Sequence, residues 1–156
     1  MEGAARRRAP VSARSSFVLD CSVALGAFFA DEQDDYSTAV WRSLESAQAL
    51  VPVLWHLEMG NILSRAVQRG RVTRRALDDC WTRLAQVGLQ TLPANGDAQH
   101  WTQRAADWGL SAYDACYLDS ALAQRLPLAS KNRDLCDAAR RIGVPLYQPT
   151  LRESSR

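Results

Sequence analysis

A chain of 156 residues, 47% hydrophobic and 23% charged, has the make-up of one soluble globular domain long enough to bury a core. No apolar run approaches the roughly 20 residues of a membrane helix, and the basic N-terminus lacks the apolar stretch of a secretory signal, so a cytoplasmic protein away from membranes is expected. With a formal net charge of only +2, bulk electrostatics alone do not mark a nucleic-acid binder.

Residues 1 to 15 are rich in Arg, Ala and Ser without apolar period and read as a disordered basic extension; 150–156 read as a flexible tail. Between them, residues 16–149 alternate short apolar runs with longer helical ones, the pattern of an α/β domain with a parallel sheet. In chain order, Ser16–Leu19 is a strand, followed by a short helix from Ser22 to Phe29 with Ser22 as N-cap. A helix over Ser37 to Ser46, a strand at Leu50–Val53 and a helix from Pro52 to about Gly70 come next. Thr73 caps a further helix running to about Gln86, and Gly88–Leu92 is the third strand. Helices over Ala94 to Trp108 and Ser111 to Arg125 lead to a short strand, Leu128–Ala129. The helix Arg133 to Ile142, stopped by Gly143, and a last strand at Leu146–Tyr147 complete a sheet of four to five strands sandwiched by helices.

Cys21, Cys80, Cys116 and Cys136 show no short paired spacing, and three of them lie in apolar or helical contexts that suit a reduced, buried Cys, so a disulfide or zinc framework is not expected. His56 and His100 are too few and too far apart for a His-based metal site. Basic residues cluster at Arg6, Arg7, Arg8 and Arg14, and again at Arg65, Arg69, Arg71, Arg74 and Arg75; the second cluster is a candidate for RNA phosphates.

Three acids stand out because they sit in core-forming segments, where a carboxylate is costly unless a cation compensates it. Asp20 directly follows the first strand, and ligands of open parallel sheets bind beyond the carboxyl ends of strands. An ordinary turn or cap residue explains Asp20 equally well. Glu58 lies within a helix. At about 100° per residue, Asn61 falls about 60° from it and Arg65 about 20°, with Met59, Ile62, Leu63, Ala66 and Val67 turned to the core. That places Glu58 at a core margin, although a Glu-to-Arg helix pair is a sufficient account of it alone. Asp114 is the third residue of its helix, at the head of the stripe Tyr117, Leu118, Ala121 and Leu122, where the helix dipole favours an acid. Asp119 points about 140° away from it and is expected to serve elsewhere.

Four segments in this order resemble the PIN-domain ribonucleases, and among them the VapC-type toxins of bacterial toxin–antitoxin pairs. They are Phe17-Val-Leu-Asp20-Cys-Ser22-Val-Ala-Leu, Leu57-Glu58-Met-Gly-Asn61-Ile-Leu, Gly109-Leu-Ser-Ala-Tyr113-Asp114-Ala-Cys-Tyr117-Leu and Leu128-Ala-Ser130-Lys-Asn132-Arg-Asp134-Leu135. The resemblance implies a parallel sheet between helices and a site of acids around Mg²⁺ or Mn²⁺ that hydrolyses RNA phosphodiesters. On it, Asp20, Glu58 and Asp114 are the metal ligands, with Ser22 and Asn61 in supporting positions. The family's fourth acid falls at Asn132, an amide that brings no charge and so weakens a second metal more than the first. Asp134 is the alternative carboxylate there, and capping of the helix start accounts for it equally.

Such a site works by metal-assisted hydrolysis and needs no nucleophilic Ser or Cys with a His partner, an arrangement not evident here. Arg65, Arg69 and some of the five Trp are candidate RNA contacts. The resemblance also implies a cognate antitoxin and a homodimer. Competing readings are an RNA-processing nuclease without antitoxin and a non-catalytic PIN-fold module that binds RNA or protein.

Overall fold

The computed structural model describes residues 15–149, so the tail at 150–156 and all but the last residue of the basic extension lie outside the described residues. Strand β1 (Ser16–Leu19) is an interior strand, and its Phe17, Val18 and Leu19 are all completely buried. Each such side chain contributes about 1.5–3 kcal/mol of burial. A run with no polar alternation fits a strand covered on both faces. Strand β2 (Gln48–Pro52) pairs parallel with β1, Ser16 opposite Gln48, and β3 (Gln90–Leu92) pairs parallel with β2. On the other side β4 (Leu128–Ala129) pairs with β1, Val18 opposite Leu128, giving the order β3-β2-β1-β4. The expected fifth strand is reduced to a parallel bridge between Leu128 and Leu146.

Seven helices flank this sheet among the described residues: α1 (Cys21–Ala24), α2 (Asp35–Ser43), α3 (Val53–Gln68), α4 (Arg74–Val87), α5 (Ala98–Trp108), α6 (Ala112–Gln124) and α7 (Arg133–Ile142). This is the α/β fold with a parallel sheet that the sequence predicts.

Several boundaries differ from the sequence reading for local reasons. Asp20, not Ser22, occupies the N-cap position of α1, and the helix passes into a 3-10 turn over Leu25–Ala27. Helix α2 begins at Asp35 because Asp34 forms a capping box with Ser37, accepting from the Ser37 amide at 2.7 Å. Helix α5 begins at Ala98 rather than Ala94, since Asp97 accepts from the His100 amide at 2.9 Å. Thr73, Ser111 and Asn132 cap α4, α6 and α7, and Gly109 and Gly143 end α5 and α7 in the left-handed conformation. All four cysteines are free and buried. No helix among the described residues is long and apolar enough to cross a membrane.

Candidate acidic site at the strand ends

Asp20 leaves the carboxyl end of β1, fixed there by its amide donating to the Ala129 carbonyl of β4 at 3.0 Å. Asp20 is only 6% exposed. Two hydroxyls hold one oxygen: Ser22 Oγ donates to Asp20 Oδ2 at 2.6 Å and Ser130 Oγ donates to the same atom at 2.7 Å. The β4–α7 turn is locked to this pair in return, the Lys131 amide donating to Ser22 Oγ at 2.9 Å and the Asn132 amide to Ser130 Oγ at 3.0 Å. The sequence reading gave Ser22 a supporting place, but not Ser130.

Asp114 is the third residue of α6, whose cap Ser111 both accepts from the Asp114 amide at 3.0 Å and donates to Asp114 Oδ2 at 2.9 Å. Its other oxygen, Oδ1, accepts from Asn132 Nδ2 at 3.2 Å, while Asn132 Oδ1 caps α7 through the Leu135 amide at 3.2 Å. The amide at the fourth position therefore sits against Asp114, tying α7 to α6. A carboxylate in its place could not donate to Asp114. Asp134 is exposed in the first turn of α7.

Glu58 lies half-buried on α3, between exposed positions and the buried Trp55, Met59 and Leu63, the core margin that helical phase predicts. The buried Tyr117 of α6 donates a short hydrogen bond to Glu58 Oε2, and the Cys21 thiol lies 3.2 Å from the Tyr117 oxygen and 3.8 Å from the same Glu58 atom. Tyr117 and Cys21 are neighbours of Glu58 that the sequence reading assigned only to core. Asn61 and Arg65 are exposed, and among the described residues no ion pair joins Arg65 to the acids.

Neighbouring charge reaches two of these carboxylates. Burial pushes the Asp20 carboxyl above its ordinary value; the Ser22 and Ser130 bonds oppose the rise and the Asp114 charge adds to it. Burial likewise raises Glu58, opposed by Tyr117 and reinforced by the charges of Asp20 and Asp114. Burial also pushes the Cys21 thiol up, so it stays protonated and unsuited to nucleophilic work. Among the described residues, no Lys, Arg or His forms an ion pair with Asp20, Glu58 or Asp114.

A hard divalent cation suits this donor set, since carboxylate oxygens are what Mg²⁺ and Mn²⁺ prefer and mutual repulsion is what a cation relieves. The side chains do not stand in a ready ligand cage: among the described residues, no three His, Cys, Asp or Glu are arranged to hold a metal ion. The hydrogen bonds explain the shortfall, with Glu58 drawn towards Tyr117 and Asp114 towards Asn132 and Ser111. Asp119 belongs elsewhere, as predicted, accepting from Arg104 Nε at 3.0 Å with His100 Nε2 3.4 Å away. His56 bonds Thr91 at 2.8 Å and has no part in the site.

Sheet order and acids gathered beyond the strand ends define a PIN-like α/β protein. A model of the PIN domain matches residues 17–141, and the chain belongs to the PIN domain family. PIN domains are generally nucleases, and PIN-domain nucleases generally use divalent metals. Among solved structures, the crystal structure of PAE2754 from Pyrobaculum aerophilum is similar, with a TM-score of 0.60, 22% identity and 80% of each chain covered. At that identity the likeness speaks for the fold alone. No curated protein matches the chain.

Proposed function

We propose that this PIN domain is a metal-dependent ribonuclease whose site is Asp20, Glu58 and Asp114, with Asn132 in the place of a fourth acid. One observation carries the reading: Asp20 is 6% exposed at the end of a central strand, electrostatically coupled to two further carboxylates, with no cationic side chain paired to any of them among the described residues. Buried, uncompensated acids are stable company for a divalent ion and poor company for one another.

Asp20, Glu58 and Asp114 would hold Mg²⁺ or Mn²⁺, which supplies an activated water and offsets charge on the phosphate oxygens. The chain's own residues prepare that arrangement. Ser22 and Ser130 fix the Asp20 carboxylate, Ser111 and Asn132 orient Asp114, and Tyr117 sets the direction of Glu58. RNA as substrate rests on the family segments read in the sequence, and a single-stranded or looped strand on the exposed basic and aromatic side chains. Cleavage of labelled RNA in Mn²⁺, lost in EDTA and in Asp20→Asn, supports the assignment; equal cleavage by wild type and variant sinks it.

On the same segments we propose the toxin of a toxin–antitoxin pair, acting as a homodimer in the cytoplasm and neutralised by an antitoxin segment laid over the acidic groove. Expression should arrest growth and Asp114→Asn should relieve the arrest without unfolding the protein. Normal growth with soluble wild-type protein points instead to an RNA-processing nuclease without antitoxin. A non-catalytic RNA- or protein-binding module draws on the open, uncaged arrangement of the acids, and it requires that Mn²⁺ binding not depend on Asp20.

A further inference from the structure

Beside the acids lies a cleft of about 410 Å³ whose lining includes Asp34, Ser130, Lys131, Arg133, Arg140 and Gln148. It shares a wall with the site, because the Ser130 whose hydroxyl holds Asp20 is also part of the cleft. Three cations face one carboxylate in its lining, the reverse of the charge balance at the acids.

The cations are not equally committed. Lys131 is tied into the fold, its ammonium donating to the Glu32 carbonyl at 2.7 Å and pairing with Asp34 at 2.9 Å, so it shapes the wall. Arg133 and Arg140 share the single Asp137 carboxylate, at 3.9 Å and 2.8 Å, with side chains 93% and 62% exposed. One carboxylate cannot neutralise two guanidiniums, and exposed helix pairs of this kind hold only weakly. Both forks are therefore available to a stronger acceptor, and a phosphate accepts guanidinium bonds in the bidentate geometry that Arg favours. Two other arginines are already engaged. Arg71 is bonded to Asp31 at 2.7 Å and stacked 4.0 Å over Phe29, and Arg141 donates to the Trp108 carbonyl at 2.7 Å.

We propose that this cleft is a phosphate subsite for the RNA strand, in which Arg133 and Arg140 grip a phosphodiester neighbouring the one presented to Asp20, Glu58 and Asp114. The subsite rests on the ribonuclease reading for its partner and assigns the strand's path over the β4–α7 turn. It shifts phosphate recognition away from the arginines around the α3–α4 junction that the sequence singles out.

The test is binding of a fluorescein-labelled single-stranded oligoribonucleotide to the full chain in EDTA, followed by anisotropy across a salt series. Arg133→Ala/Arg140→Ala should weaken binding at least about tenfold, as loss of two charge-assisted contacts implies. The slope of log affinity against log salt should shrink by about 0.7, for one phosphate no longer neutralised on a single strand. In cleavage assays the same variant should raise KM with kcat within about twofold. Arg74→Ala/Arg75→Ala, in the first turn of α4, should match wild type. Unchanged affinity and salt slope in the α7 variant, or equal losses in the α4 variant, overturn the subsite. Calorimetric Mn²⁺ binding on the same protein separates the two readings. If Mn²⁺ binding and cleavage are absent while RNA binding keeps its dependence on Arg133 and Arg140, the nuclease reading falls and the phosphate cleft stands.

Discussion

Asp20 and Asp119 are acids packed against the same core, and their surroundings could hardly differ more. The Asp119 side chain, 17% exposed, receives Arg104 at 3.0 Å, and that guanidinium also lies 5.0 Å over the Trp108 ring. Its charge is answered inside the fold, and its work is to clamp α5 to α6. Asp20 is still more buried, yet hydroxyls and the Cys21 amide answer it instead of a cation, and burial, with the Asp114 charge added, pushes its proton affinity up. The lesson is that burial alone does not single out a site. An acid that is buried and left without a cation does.

The sharpest way to break this contrast is Asp20→Asn. Removing a direct ligand should cost more than the 10- to 100-fold typical of residues behind the ligands, so Mn²⁺ affinity and RNA cleavage should each fall at least about a hundredfold. Without metal the variant should melt higher than wild type, because a desolvated charge has gone. The pH dependence carries the same sign. Asp20 and Glu58 hold protons more tightly folded than unfolded, so the folded state binds more protons between the ordinary carboxyl range near ~4 and their raised values. Their contribution to metal-free stability is therefore greatest at low pH and is lost as pH rises through those raised values. Denaturant unfolding across this window should show a shallower slope in Asp20→Asn, and an identical slope would remove Asp20 from the account.

Tyr117→Phe asks whether the hydroxyl behind Glu58 matters. Loss of that bond should weaken Mn²⁺ binding about 10- to 100-fold and lower stability by about 1 kcal/mol, both read on the purified protein. A stability loss with unchanged metal affinity would make Tyr117 a core residue only. Asn132→Asp should move two quantities in opposite directions. It replaces a donor to Asp114 by a like charge, lowering the metal-free melting temperature, and it tightens Mn²⁺ binding about tenfold if a fourth carboxylate is what the site lacks. At the quiet end of the comparison, Arg104→Ala breaks the Asp119 pair. A partly exposed pair of this kind is worth about 0.5–1 kcal/mol, and metal binding should not change.

The framework was legible wherever a local signal decided it. Helix α7 was fixed by its Gly143 stop, and β1 by an unbroken apolar run ending at Asp20. Strand β2 starts two residues earlier than Leu50 because its register opposite β1, not its own apolar pattern, decides where pairing begins. The last apolar pair, Leu146–Tyr147, fell short of a strand, contributing one bridge at Leu146 while Tyr147 stacks 3.9 Å from Phe17 in the core. In the same way, the burial of Asp20, the core-margin phase of Glu58 and the helix-start position of Asp114 could be read from the sequence. Tyr117 and Ser130 could not, because their partners lie 59 and 110 residues away and only the folded chain brings them together.

Calorimetric titration of the metal-free protein with Mn²⁺, run side by side on wild type and Asp20→Asn, tests the central claim most directly. Saturable binding by the wild type that disappears in the variant is the predicted result. Equal binding by both, or none by a folded wild type, would contradict the metal site at the strand ends.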